Sequence, residues 1–133
     1  MSQKNNIMII DNVNIAPLLK AFSRFEQFRP NKNTEQERAG IIQAFEYSFE
    51  LVWKIMKKLL HERGREVNSP REVFRVAFLE GFIDDLDIWF DFLKKRNMVS
   101  HTYEEEEANQ VLLSCDQFSV EVKKFLNKIG VQS

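Results

Sequence analysis

Residues 34–64, TEQERAGIIQAFEYSFELVWKIMKKLLHERG, decide the fold. Thr34 followed by Glu37 has the spacing of a capping box, in which the hydroxyl and the carboxylate satisfy backbone donors that open a helix. Behind it Ile42, Phe45, Phe49, Val52, Trp53, Met56 and Leu60 recur at three- and four-residue intervals and form one apolar stripe. The spacing predicts a long helix ending near Gly64, with a face too apolar to remain in water.

Working outward, Ile15, Leu18, Leu19, Phe22 and Phe25 carry the same period in an earlier helix that stops near Arg29-Pro30, because proline has no N–H to continue it. On the other side, Ser69-Pro70-Arg71-Glu72 supplies an N-cap serine, a proline at the first helical position and a glutamate three residues after the cap. A short third helix is predicted from there to Gly81. Asp84 is the expected cap of a fourth helix with Leu86, Trp89, Phe90 and Leu93 turned inward and Lys94-Lys95-Arg96 near its C-terminal end, where the helix dipole favours cations. Thr102 with Glu105 has capping-box spacing again, and Val111, Leu112, Cys115, Phe118, Val122, Phe125 and Ile129 extend a fifth stripe to Gly130.

Five amphipathic segments and three capping signals predict an all-α fold, an antiparallel up-and-down bundle of four to five helices. No segment alternates cleanly enough to require a sheet. Twelve Phe against four Gly and three Pro point the same way. The expected organisation is a single domain over residues 1–133, frayed at 1–12 and 131–133.

Composition excludes several functions. With a formal net charge of −1, the chain does not coat nucleic acid electrostatically, so any RNA contact is local. The apolar run Ile7 to Ile10 is too short for a signal segment or a membrane span, so a cytoplasmic location with no membrane contact is expected. The lone Cys115 falls in an apolar stripe and reads as a buried small hydrophobe. A di-iron bundle needs Glu-x-x-His pairs on two helices, whereas this chain has only His61 and His101 and no such pair, so no metal site and no cofactor are expected. Four scattered glycines cannot spell a phosphate loop.

What remains is Arg96-Asn97-Met98-Val99-Ser100-His101-Thr102-Tyr103, at the junction of the fourth and fifth helices. Arginine offers a permanent planar cation for phosphate, histidine exchanges a proton near neutral pH, and Asn97 could hold either in place. Those groups suffice for attack by a ribose 2′-hydroxyl on the neighbouring phosphate, which needs a base and a cation but no metal. On a continuous helix Arg96 and His101 would stand about 140° apart, so either the helix breaks here or two chains contribute. The bland reading stays open: Arg96 capping a helix C-terminus and His101 stacked in a polar corner. Glu46 and Glu50 share a helical face that could turn toward this site or pair with lysines, with a solvated or structural role the first reading, and Trp53 and Trp89 read as core anchors.

Four segments in order carry a resemblance to a known family: Gln43 to Lys54, Ser69 to Val73, Ala77-Phe78 through Gly81 to Ile83-Asp84-Asp85, and Arg96 to Tyr103. Together they resemble the HEPN domains, and among them the nucleotidyltransferase substrate-binding proteins encoded beside minimal nucleotidyltransferases. The hallmark, an arginine followed after four to six residues by a histidine, is met here by Arg96 and His101 in the four-residue form, with Tyr103 completing the longer version. The resemblance implies a helical bundle that forms a homodimer with both motifs facing a shared cleft. It implies a metal-independent ribonuclease toxin with RNA as substrate, His101 as base or acid and Arg96 as stabiliser of the phosphate. Its partner would be a minimal nucleotidyltransferase acting as antitoxin, which in some pairs transfers AMP to the motif tyrosine, here Tyr103. Asn97 is a supporting candidate. The alternative is a non-catalytic subunit that presents substrate or a regulatory surface to the nucleotidyltransferase; a purely structural dimer is the third reading.

Overall fold

The computed structural model describes residues 7–101 and 104–131, for His101 the backbone alone. Within them run α1 (Ala16–Phe28), α2 (Glu35–Glu62), α3 (Pro70–Leu79), α4 (Leu86–Met98) and α5 (Glu105–Lys128), with a 3-10 turn at Val99–His101 between the last two. The architecture is the expected all-α bundle: consecutive helices pack on one another, and α5 returns across α2.

Local chemistry sets the helix ends. Thr34 Oγ1 accepts from the Glu37 N–H at 3.0 Å while the Glu37 carboxylate accepts from the Thr34 N–H at 3.0 Å, which closes the capping box. Ser69 caps α3 through the Glu72 N–H at 3.3 Å, but the Glu72 carboxylate reaches back one residue further, to the Asn68 N–H. At the other end of α2, Gly64 takes a φ of +79°, and this left-handed step lets the Arg65 N–H reach the Leu60 carbonyl at 2.9 Å. The same reach-back joins Phe82 to Ala77 after α3 and Val131 to Leu126 after α5. Val131 is thereby buried, although the sequence suggested a frayed end there.

The helices share one core, and its centre is Phe118 of α5. Edge-to-face contacts join its ring to Phe25 of α1 at 5.5 Å, Phe45 of α2 at 4.9 Å and Phe92 of α4 at 5.2 Å, and Phe49 and Trp89 complete the ring of neighbours. Such pairs add directional attraction to the burial that drives the packing.

Four expectations are corrected. Residues before α1 are not merely frayed: β1 (Ile9–Ile10) pairs antiparallel with β2 (Val13–Asn14) across Asp11 and Asn12, both at positive φ, and the Asn14 side chain holds the Met8 and Ala16 N–H groups. Asp85, not Asp84, caps α4, accepting from the Ile88 N–H at 3.0 Å. The inward face of α4 is Trp89 and Phe92, while Leu86, Phe90 and Leu93 are half-buried. Finally α5 begins at Glu105 behind an N-cap at Glu104 that makes no side-chain cap, so Glu105 is the first helical residue and not at the third helical position that a capping box requires; Thr102 itself lies outside the described residues.

Candidate functional site

The site begins with the inward line of α4. Trp89 and Phe92 are buried, and Arg96 follows four residues after Phe92, so a cation occupies the next position of a core-facing stripe. Its side chain is 25% exposed, neither in the core nor free in water. Arg96 Nη1 donates to Glu50 Oε1 of α2, and the guanidinium lies 5.5 Å from the centre of the Phe49 ring. Nothing among the described residues bonds Nη2, and Nε is buried without a partner.

Glu50 is itself held. Trp53 Nε1 donates to its other carboxylate oxygen at 3.2 Å, and Lys54 Nζ stands 3.9 Å from that oxygen. The result is a chain of contacts, Trp53 and Lys54 to Glu50 to Arg96, that fixes the direction of the guanidinium. A carboxylate in this place has two effects. It orients the arginine, and it offsets part of the positive charge an incoming phosphate would meet.

Two residues beyond Arg96, α4 ends at Met98 and tightens into the 3-10 turn of Val99–His101. The helix therefore breaks inside the motif, one of the two solutions its spacing allowed. Asn97 is exposed and its side chain makes no hydrogen bond to another described residue; the partner of Arg96 is Glu50. Tyr103 and the side chain of His101 lie outside the described residues. Lys95 pairs with Asp91 at 2.8 Å, and Glu105, Glu106 and Glu107 fill the first turn of α5, where the dipole favours acids.

Glu50 is the participant that the sequence did not assign to the site. It stands 46 positions before Arg96, and its only local signal is an i, i+3, i+4 set with Trp53 and Lys54. Cys115 plays no part in it. Burial, and then the neighbouring Asp116, push its thiol up to about 12, which keeps it protonated at neutral pH.

The profile of the family described as "Nucleotidyltransferase substrate binding protein like" matches residues 13–130. The chain belongs to this family. It is the family of substrate-binding partners of nucleotidyltransferases, the one toward which the four sequence segments point. A relative from Haemophilus influenzae, named "Probable ribonuclease HepT", is 29% identical over 139 residues, covering 92% of this chain and 95% of its own. Among solved structures, a protein from Thermus thermophilus superposes with a TM-score of 0.81 at 26% identity, covering 85% of this chain and 98% of its own. A second, from Haemophilus influenzae and described as a substrate-binding domain of a nucleotidyltransferase, does so with a TM-score of 0.78 at 28% identity, covering 87% and 98%. No helix among the described residues is long and apolar enough to cross a membrane.

Proposed function

We propose that this family member is a metal-independent ribonuclease, the toxin of a pair whose antitoxin is a minimal nucleotidyltransferase. The observation that carries the reading is Arg96: a half-buried guanidinium, aimed by Glu50 and with Nη2 unbonded among the described residues, five residues before His101 where the helix breaks. The name of the Haemophilus relative supports it.

In this reading His101 takes the proton from a ribose 2′-hydroxyl as that oxygen bonds to the adjacent phosphorus, and the bond to the 5′-oxygen breaks. Arg96 meets the charge that develops on the phosphoryl oxygens. A 2′,3′-cyclic phosphate and a 5′-hydroxyl result, with the leaving oxygen protonated by an acid of the cleft that two copies of the chain share. The partner silences the site by moving AMP from ATP to the Tyr103 hydroxyl, with release of pyrophosphate. The added bulk and phosphodiester charge would compete with RNA for Arg96.

The test is cleavage of a mixed RNA pool in EDTA by the unmodified protein and by His101→Ala. Cleavage that disappears in the variant is the expected result, and Tyr103→Phe is expected to cleave normally and resist silencing by the partner. A second reading has one specific observation in its favour, the Glu50 carboxylate beside Arg96, which lowers the net attraction for a phosphate. In that case the chain presents substrate to the nucleotidyltransferase without cutting it, and absence of cleavage by folded, unmodified dimer would establish it.

A further inference from the structure

Between α1 and α2 lies an open groove of about 620 Å³. Lys20, Arg24 and Phe28 recur four apart along its α1 wall, and Gly40 and Tyr47 stand on its α2 wall. The charge is one-sided. No aspartate or glutamate lines the groove, and neither Lys20 nor Arg24 is paired with a carboxylate among the described residues, a state they share with Arg38, Lys57, Lys58 and Lys94, whereas Arg29, Arg63, Arg65, Lys95, Arg96 and Lys123 are paired. In a chain of net charge −1 this is a local surplus of cations facing an empty space.

Two further observations give the ligand its chemistry. Tyr47 is 61% exposed and Phe28 39% exposed, so two aromatic rings border the same groove with their surfaces in water. Gly40 lies on the α2 wall in mid-helix, where glycine is destabilising relative to alanine, yet a Cβ there would meet only the Phe28 ring at 3.8 Å, an ordinary contact. Packing of the bundle does not demand the open space that Gly40 leaves. Cations without acids, together with free aromatic faces, fit a phosphate chain carrying unpaired bases, since stacking on aromatics needs bases outside a duplex.

The groove also extends further than a single nucleotide requires. Pro17 borders it and a second hollow of about 590 Å³, where Lys54, Lys57, Lys58 and Arg65 stand with Glu62 and Glu66. From Gly40 to Lys58, α2 rises about 27 Å at 1.5 Å per residue. Tyr47 stands three residues before Glu50, so the groove edge and the Arg96 pair are about one helical turn apart along α2.

We propose that the α1–α2 groove grips single-stranded RNA, its phosphates along Lys20 and Arg24 and its bases against Tyr47 and Phe28, and hands the strand across α2 toward Arg96. This deepens the ribonuclease reading by naming how substrate is held apart from the cutting residues.

The experiment measures binding of a fluorescein-labelled 12-nucleotide mixed-sequence RNA to full-length His101→Ala protein, which separates grip from cleavage. Reversing both cations, Lys20→Glu with Arg24→Glu, is expected to weaken binding about tenfold or more at 0.1 M salt and to lower the slope of log affinity against log salt by about 1.4, the single-strand value for two phosphates. Tyr47→Ala is expected to weaken it about tenfold with no change of slope. Reversing Lys124 and Lys128, which pair with Glu121 and Asp84, makes the same charge change elsewhere and is expected to do much less. Equal loss in the control and the groove variants overturns the proposal, as does absence of binding by folded protein. Competition by ATP at micromolar concentration would make the occupant a free nucleotide instead. Loss of a co-expressed nucleotidyltransferase with RNA binding intact would make it a protein face. RNA binding that depends on the groove, alongside no cleavage by the unaltered chain, would sink the ribonuclease reading and leave the groove standing.

Discussion

Removing Glu50 tests whether the Arg96 arrangement is built or incidental. The two side chains are 27% and 25% exposed, between the fully buried pairs whose disruption costs about 3–5 kcal/mol and the exposed pairs worth about 0–1 kcal/mol. Discounted for that exposure, Glu50→Gln is expected to cost about 1–2 kcal/mol. A chain of 133 residues unfolds with an entropy near 0.28 kcal/mol/K, so the melting temperature should fall roughly 4–7 °C. The arrangement also implies an asymmetry. Without Glu50, Arg96 keeps only the Phe49 ring among the described residues and its Nε stays buried and unbonded, whereas without Arg96, Glu50 keeps Trp53 and Lys54. Glu50→Gln should therefore cost more than Arg96→Gln, and the double variant less than their sum by about 1 kcal/mol. Urea and thermal unfolding followed by circular dichroism at 222 nm measure all four corners of the cycle. A coupling below about 0.3 kcal/mol, or a costlier Arg96→Gln, would show that Glu50 does not hold the arginine.

Phe118→Ala is expected to cost about 3–5 kcal/mol and lower the melting temperature roughly 10–18 °C, because one ring serves α1, α2 and α4 together; Phe28→Ala, at an exposed site, should barely move it. Burial pushes the Glu26 carboxyl up, but hydrogen bonds from Arg29, Ser119 and Lys123 outweigh it and hold the group below its ordinary value. Its folded value is thus the lower one, so its contribution is complete above about pH 5 and fades as pH falls through about 4 and below. Glu26→Gln should flatten the acid side of the stability profile, and an unchanged slope between about pH 5 and pH 3 would contradict this. Cys115, buried and pushed up to about 12, should resist iodoacetamide at pH 8 until the chain unfolds, and prompt alkylation of folded protein would refute the packing.

The parts legible in the sequence are those fixed within one or two turns of chain. Thr34 and Glu37 meet because they are three residues apart, and Gly64 stops α2 by its own backbone freedom. Helix α4 was harder, because Leu86, Ile88, Trp89, Phe90, Phe92 and Leu93 leave it apolar most of the way round, so spacing alone could not choose the inward face. Tertiary contacts choose it: Phe90 is drawn under Arg71 and Arg75 of α3, at 4.4 and 5.6 Å, which turns Phe92 into the core. The hairpin at Ile9 to Asn14 left a trace in its Asp-Asn turn, but two-residue strands are too short to alternate. Arg96 to Tyr103 stood out as a motif. Glu50 did not, because its meaning lies in a contact made only when α2 and α4 come together.

The two tryptophans sit in different layers, and this gives the molecule two optical reporters of its own. Trp89 is sealed among Phe74, Phe92 and Phe118, with an indole N–H that bonds to nothing among the described residues, so its emission follows the integrity of the core. Trp53 gives its N–H to the carboxylate that holds Arg96. Whatever draws Glu50 away from the arginine changes the electrostatics at that indole while leaving the other dark to the event. With Trp89 replaced by phenylalanine, the remaining signal would read occupancy of the arginine directly, without a label.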